Sequence, residues 1–204
     1  MVATILVPGF SDDTDILRGL ESHLRGVGIA AYAISPQPSN GVVSIAVLAQ
    51  RLAATLAQQF TATTTLNFVG FSMGGLICRS YIQHYGGLAR TERLITIATP
   101  HQGTWTAYTY NRPACVEMRP GSAFLATLNQ DLSALQQLNF TSIWTPLDLT
   151  ILPPTSSYLP VGEMIQIWSP FHYTLLLDPR IVQIIATRLQ QPYDHPRKTG
   201  APNR

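Results

Sequence analysis

One serine stands where the sequence pattern predicts a nucleophile. It lies in Gly70-Phe71-Ser72-Met73-Gly74-Gly75, between an apolar run, Thr65 to Val69, and a helical pattern that begins near Met73. A tight turn from strand to helix leaves no room for side chains two residues on either side of the serine, so glycine is favoured there and the hydroxyl projects freely. A helix that begins behind that oxygen favours developing negative charge. The passage therefore predicts a nucleophile elbow at Ser72.

A serine hydroxyl needs a base to accept its proton, and the sequence offers five histidines. Three are poorly placed, because two lie within amphipathic helical patterns and one in the C-terminal tail: His23, His84 and His195. The other two, His101 and His172, each follow a predicted strand. Either could reach Ser72 across the edge of the sheet where the elbow also lies.

Chain order distinguishes these two histidines. In doubly wound sheets with such an elbow, the nucleophile, the acid and the base follow one another along the sequence. Asp148 lies between Ser72 and His172, whereas the only carboxylate between Ser72 and His101 is Glu92. Three other acids are interpreted as surface, capping or strand-start residues: Asp131, Asp178 and Glu163. The sequence therefore predicts a triad of Ser72, Asp148 and His172.

The tetrahedral intermediate of such a reaction needs two backbone N–H donors. The residue after the nucleophile, Met73, supplies the first. The second is expected from the loop after the first strand, where Pro8 has no N–H and Gly9 permits a sharp turn. We therefore expect the amide of Phe10 to complete an oxyanion hole.

Strand-like and helical segments alternate along nearly the whole chain, which predicts a parallel sheet with helices on both faces. The six predicted strands are Thr4 to Val7, Ala30 to Ile34, Thr65 to Val69, Leu94 to Ala98, Ser142 to Pro146 and Met164 to Trp168. Helical spacing predicts a helix that carries Ile16 to Leu24, capped by Asp12 or Asp13, and others over Ile45 to Leu56, Leu76 to His84 and Pro179 to Gln191.

A long segment, 100–141, interrupts this alternation between the fourth and fifth strands. Its second half has helical spacing from Phe124 to Leu138, and its first half is aromatic without clear periodicity. Long loops at the carboxyl ends of parallel strands tend to form binding sites, although such side chains also cap cores. We expect a cap, a lid or a pocket-forming insertion, with Trp105, Tyr108 and Met118 as substrate contacts together with Phe171.

Size and composition set further bounds. With 204 residues, 46% of them hydrophobic, the chain fits one domain over residues 1–191, followed by a polar tail, 192–204, that we expect to be disordered. The net charge of +2 is spread without a basic stripe, so no nucleic acid partner is expected. We see neither a secretory leader nor a long apolar span, which favours a cytoplasmic location. Cys78 and Cys115 are expected as buried thiols rather than a disulfide or metal site.

Taken together, the chain resembles the small bacterial lipases and esterases of the α/β-hydrolase superfamily, from Val2 to about Leu189. The elbow is the most specific part of this resemblance. Four other segments support it: Thr99-Pro100-His101-Gln102-Gly103-Thr104, Arg119-Pro120-Gly121-Ser122-Ala123-Phe124-Leu125, Asp148-Leu149-Thr150-Ile151-Leu152-Pro153-Pro154 and His172-Tyr173-Thr174-Leu175-Leu176. Two departures are the Pro8-Gly9 pair, where these lipases commonly have His-Gly, and the lack of the first two strands of larger members.

The resemblance implies a minimal α/β-hydrolase fold, with a mostly parallel six-stranded sheet between two helical layers. It implies the same triad of Ser72, Asp148 and His172, with Phe10 and Met73 as oxyanion donors. The expected activity is hydrolysis of carboxylic esters of lipids or small molecules through an acyl-enzyme, with no cofactor and no metal. Contact with a membrane or lipid droplet is a further expectation. An acyltransferase, thioesterase or amidase would use the same groups, and a non-catalytic binding protein would lack one of them.

Overall fold

A computed structural model describes residues 1–192 of the chain. The predicted disordered tail, apart from its first residue, lies outside the described residues. Six strands are present: β1 (Val2–Val7), β2 (Ala31–Ala33), β3 (Thr65–Phe71), β4 (Thr91–Ile97), β5 (Asn139–Trp144) and β6 (Glu163–Gln166). They form one sheet in the order β2-β1-β3-β4-β5-β6, and every neighbouring pair is parallel. The predicted α/β class with a six-stranded sheet is confirmed, and the sheet is parallel throughout.

Helices cover both faces of this sheet. They are α1 (Arg18–Gly26), α2 (Ile45–Gln59), α3 (Met73–His84), α4 (Pro113–Glu117), α5 (Ala123–Gln130), α6 (Ser133–Gln136) and α7 (Pro179–Gln190). Successive strand side chains point to opposite faces, so Ile5 packs in one cluster with α2, α3, α5 and α6, while Leu6 packs in a second with α1 and α7. The two clusters fill the spaces between the sheet and the helices on each of its faces, so the fold has the predicted three layers.

Element boundaries differ from the predicted ones where pairing and backbone geometry decide them. β4 begins at Thr91 rather than Leu94, because the polar residues Thr91 and Arg93 still pair with neighbouring strands. It ends before Ala98, which has a positive φ of 47°. Asp13, not Asp12, caps the chain's first helical turn, Thr14–Leu17, by accepting the amide of Asp15.

Segment 100–141 contains more regular structure than predicted. Its aromatic first half includes a 3-10 turn, Trp105–Thr109, and the short helix α4. Its second half is divided into α5 and α6, because the chain leaves helical geometry at Asp131. The helix after the elbow is buried on all sides from Met73 to Ile82, whereas His84 in its last turn is exposed.

Candidate active site

Ser72 occupies the turn between β3 and α3 in a conformation that non-glycine residues rarely adopt. Its φ is 53° and its ψ is −124°. The Ser72 amide donates to the carbonyl of Ile97 on the neighbouring strand at 2.8 Å, and the Thr99 hydroxyl donates to the Ser72 carbonyl at 3.0 Å. Such conformations persist only where surrounding contacts hold them, and they concentrate at functional sites. The sequence pattern and the backbone therefore indicate the same residue.

Gly70 and Gly74, two residues before and after Ser72, allow neighbouring segments of the chain to touch. A methyl group on Gly70 would lie 2.5 Å from Cα of Gly75, and one on Gly74 would lie 2.2 Å from the carbonyl oxygen of Val7. Neither position has room for a side chain. The glycines thus hold the first turn of α3 against β3 and against the loop after β1.

Asp148 and His172 form a buried pair at the carboxyl ends of β5 and β6. His172 Nδ1 lies 2.8 Å from Asp148 Oδ2, and the two side chains are 3% and 2% exposed. The other carboxylate oxygen, Oδ1, accepts the amides of Thr150 and Ile151 at 2.8 and 2.9 Å. Because a carboxylate only accepts, the ring donates from Nδ1, which leaves Nε2 able to take a proton.

The nucleophile and the base are close but not bonded to each other. The His172 ring packs on Phe71, the residue before Ser72, with ring centroids 4.8 Å apart. Within residues 1–192, no hydrogen bond joins Ser72 Oγ to this ring. Catalytic hydrogen bonds often tighten only when substrate binds, so the spacing is compatible with proton transfer.

The loop after β1 lies directly against the nucleophile. A methyl group on Gly9 would lie 3.0 Å from Cβ of Ser72, and the next residue, Phe10, lines the same cleft as Ser72. Met73 begins α3 on the other side of the serine. The two residues predicted to donate amides to an oxyanion therefore flank Ser72.

The cleft in front of Ser72 has a volume of about 210 Å³. Of the predicted substrate contacts, Met118 lines it, whereas Trp105, Tyr108 and Phe171 do not. Trp105 and Tyr108 stack on each other at 5.6 Å and are 60% and 51% exposed. The remaining lining residues were not among the predicted substrate contacts, although all but the last two belong to segment 100–141, where a pocket-forming insertion was one expectation: Thr104, Thr106, Ala107, Thr109, Tyr110, Cys115, Thr150 and Ile151.

Asp12 is a further acidic residue beside the site that the sequence did not indicate as such. A methyl group on Gly9 would lie 3.0 Å from Asp12 Oδ2, the same distance as from Cβ of Ser72. Burial raises the pKa of the Asp12 carboxyl, and the nearby His172 ring opposes that rise. The adjacent Asp13 gave the same helix-capping signal, so no pattern distinguished the two.

His101, the alternative base, is enclosed behind the site. Its Nε2 lies 3.1 Å from the Thr96 hydroxyl and its Nδ1 lies 3.2 Å from Arg79 Nη1, with both His101 and Arg79 fully buried. Arg79 can only donate, so Nδ1 accepts and Nε2 carries the proton. With both ring nitrogens engaged, His101 is not available to accept a proton from Ser72.

The buried His101 predicts an acid-sensitive fold. Burial, and then the Arg79 charge, hold the pKa of His101 well below 6.5. Below pH 6.5 the His101 ring binds a proton in the unfolded chain but not in the folded chain. The free energy of unfolding therefore decreases as the pH is lowered, by at most about 1.4 kcal/mol per pH unit. Replacing His101→Gln should make this decline shallower between pH 6.5 and about 5. Urea titrations at several pH values measure both slopes, and equal slopes would contradict the prediction.

Three further features were compared with the expectations from the sequence. Residues 1–192 contain no cluster of three or more histidine, cysteine or acidic side chains that could hold a metal ion. Cys78 and Cys115 are free and buried, and burial raises the pKa of both thiols. No helix in the described range is long and apolar enough to cross a membrane.

Comparison with known proteins identifies the family. A model of the palmitoyl protein thioesterase family matches residues 5–145, a stretch that includes Ser72 and ends before Asp148 and His172. A comparison with curated proteins found no match.

The similar solved structures include lipases and an esterase. The mature form of a Bacillus licheniformis lipase has a TM-score of 0.76 at 14% identity, over 92% of this chain and 91% of that one. Aspergillus fumigatus lipase B has a TM-score of 0.77 at 15% identity, over 94% of this chain and 53% of that one. A metagenomic carboxyl esterase has a TM-score of 0.72 at 12% identity, over 92% and 74%. Since the family match spans more than half of the chain, this protein belongs to the palmitoyl protein thioesterase family and has the fold of the lipase, esterase and thioesterase hydrolases.

Proposed function

We propose that this protein is a serine hydrolase that cleaves carboxylic esters of lipid-like acids. One observation carries the proposal: the strained Ser72 lies at an apolar cleft beside the buried Asp148–His172 pair. An apolar cleft suits an acyl chain, and the three side chains are the set that activates a serine hydroxyl.

The proposed reaction has two halves. Ser72 Oγ attacks the ester carbonyl while His172 Nε2 takes its proton, and the amides of Phe10 and Met73 stabilise the oxyanion. The C–O bond then breaks, and His172 returns the proton to the leaving alcohol. Water next attacks the acyl-enzyme with His172 again as base, releasing the acid and restoring Ser72. Asp148 holds the ring in its orientation and stabilises the imidazolium in both halves.

Thioester cleavage is the second candidate, and the family match is the observation that favours it. The same nucleophile, base and oxyanion donors serve esters and thioesters, because the bond that breaks lies on the far side of the carbonyl from the acyl chain. The identity of the leaving group therefore distinguishes esterase, thioesterase and amidase activities. An acyltransferase differs instead in the acceptor of the acyl group.

We also propose that the rim of the cleft contacts a lipid surface. Trp105 and Tyr108 belong to the turn whose neighbouring residues line the cleft, and both are exposed. Leu149 and Phe171, which adjoin Thr150 and His172, are 66% and 59% exposed. Exposed apolar side chains grouped around a cleft are typical of surfaces that meet lipid.

A comparison of matched substrates tests the ester preference and the lipid-surface proposal together. One acyl group is presented as an ester, a thioester and an amide, with added alcohol in a parallel set to detect acyl transfer. We expect the ester to give the largest kcat/KM and to turn over faster in phospholipid vesicles than as a dissolved monomer. A larger kcat/KM for the thioester would move the assignment to the second candidate. Equal rates in vesicles and in solution would overturn the lipid-surface proposal alone.

A further inference from the structure

Asp12 places a second carboxyl beside the nucleophile. A methyl group on Gly9 would lie 3.0 Å from both Asp12 Oδ2 and Cβ of Ser72, so the carboxyl and the nucleophile approach the same side of Gly9. Asp12 Oδ2 is enclosed, and within residues 1–192 it has no hydrogen-bond partner. A buried carboxylate oxygen without a donor is costly unless a positive charge lies near it. Asp12 therefore needs a cation close to the active site.

The cation that the site itself produces is the His172 imidazolium. Burial raises the pKa of Asp12, and the charge of a protonated His172 ring opposes that rise. By the same attraction, an ionised Asp12 stabilises the imidazolium. That charge is present only after the ring takes the proton of Ser72. The attraction is therefore stronger in the transition state than in the resting enzyme, which is the condition for faster reaction.

Tyr173 connects the two groups. Its hydroxyl acts as a hydrogen-bond donor toward the Asp12 carboxyl and so favours the ionised form. Its ring meets the His172 ring edge-on, with centroids 5.4 Å apart, and lies 5.6 Å from the ring of Phe71. Tyr173 follows β6 and Asp12 follows β1, and three strands separate β1 from β6 in the sheet. The pair therefore joins the oxyanion loop to the loop that carries the base.

Hydrogen bonds to a neighbouring loop hold Asp12 in place. The Ser39 hydroxyl donates to the Asp12 carbonyl at 2.7 Å, and the Ser11 amide donates to the Ser39 carbonyl at 3.0 Å. Ser11 has a positive φ of 59°, a conformation that persists only where surrounding contacts hold it. Asp12 is thus fixed before the reaction and does not have to move when charge develops on the ring.

We propose that Asp12 is a second acidic residue of the active site, which stabilises the His172 imidazolium from the side of the oxyanion loop, with Tyr173 as its hydrogen-bond donor. It acts on the reaction through His172, so it is a positioning residue rather than a catalytic one. This inference rests on the proposed function, because the imidazolium forms only when Ser72 gives up its proton. Asp148 orients the ring through Nδ1, whereas Asp12 acts through its charge.

Four titratable groups belong to the surroundings of Asp12 and of the ring. His172 and Tyr173 face Asp12 from the loop after β6, and Asp13 lies next to it on its own loop. Asp148 faces the ring from the loop after β5. Replacing Asp12 leaves the other four in place, so a change in pH dependence reports the loss of the Asp12 charge.

The pH profile of kcat/KM tests the proposal. Asp12→Asn removes the negative charge at nearly constant size, so the imidazolium loses a stabilising partner. The acid limb of kcat/KM should therefore move to lower pH by about one unit, and the plateau should fall by about three- to tenfold. Tyr173→Phe should move the limb in the same direction by less, because Asp12 ionises less readily without the hydroxyl. The double variant should match Asp12→Asn alone, since Tyr173 acts through Asp12.

Asp13→Asn is the matched control. It makes the same chemical change one residue further on, where the exposed Asp13 caps the first helical turn by accepting the amide of Asp15. Because salt screens an exposed charge, its acid limb should stay within about 0.2 pH units of wild type, even where loss of the cap lowers the denaturation midpoint. If Asp12→Asn fails to fold, Tyr173→Phe carries the test, since it keeps the ring contacts.

The outcomes separate this inference from the proposed function. An acid limb that stays in place in Asp12→Asn and Tyr173→Phe would overturn the inference. A uniform loss at every pH would do so too, because that is the effect of a purely structural Asp12. In both cases the wild type would still cleave esters and Ser72 would still react with a fluorophosphonate, so the hydrolase assignment would stand. If the wild type cleaves no ester and Ser72 does not react, the proposed function itself fails.

Discussion

Replacing Ser72→Ala should abolish ester cleavage, with a loss in kcat on the order of 10⁶-fold, because Ser72 is the proposed nucleophile and lies beside the Asp148–His172 pair that activates it. The fold should remain intact, since the Ser72 hydroxyl makes no hydrogen bond within residues 1–192 and its backbone is held by Ile97 and Thr99. Initial rates with a soluble ester, together with the denaturation midpoint, measure the two quantities separately.

A matched control comes from the helix that follows Ser72. Ser80 lies in α3, is 1% exposed, and its Oγ has no hydrogen-bond partner among the described residues. Ser80→Ala makes the same chemical change without touching the cleft, so activity should stay within about twofold of wild type. Labelling by a fluorophosphonate should be lost in Ser72→Ala and kept in Ser80→Ala. Residual esterase activity in the Ser72 variant above about one thousandth of wild type would contradict the assignment.

The parallel direction of the strands follows from features that are local in sequence. Alternating strand and helix patterns predict parallel strands, and the elbow glycines mark where the third strand meets its helix. Asp148 and His172 are 24 residues apart, yet their positions after consecutive strands bring them to one edge of the sheet. The sequence was sufficient here because each residue is placed by the strand before it.

No local sequence pattern predicted which side chains form the walls of the cleft. Ala107 and Ile151 face it because hydrogen bonds between the loops around Thr104 and Thr150 set the loop directions, and those bonds join residues far apart in sequence. Trp105 and Tyr108 have the right residue types for substrate contact, but they stack on each other outside the cleft. Residue type indicates that a loop is apolar, whereas long-range contacts decide which side chain faces inward.

Replacing Asp148 should have the second large effect on activity, because its two carboxylate oxygens accept different hydrogen bonds. Oδ1 accepts two backbone amides and Oδ2 accepts the proton on His172 Nδ1. An asparagine has only one acceptor oxygen. If that oxygen faces the amides of Thr150 and Ile151, its NH₂ group must face Nδ1, and the ring then carries its proton on Nε2, where it cannot act as a base.

We therefore expect Asp148→Asn to lower kcat by about 10⁴-fold at neutral pH, while the ester KM changes little because the cleft is untouched. Asp131→Asn is the matched control, since Asp131 is exposed and its carboxylate accepts hydrogen bonds from Ser133, outside the cleft. Steady-state kinetics on both variants, with fluorophosphonate labelling rates as a second readout, measure the difference. A loss below about tenfold in Asp148→Asn would mean that another group orients His172. Asp12, the other carboxyl near that ring, would then be the residue to replace next.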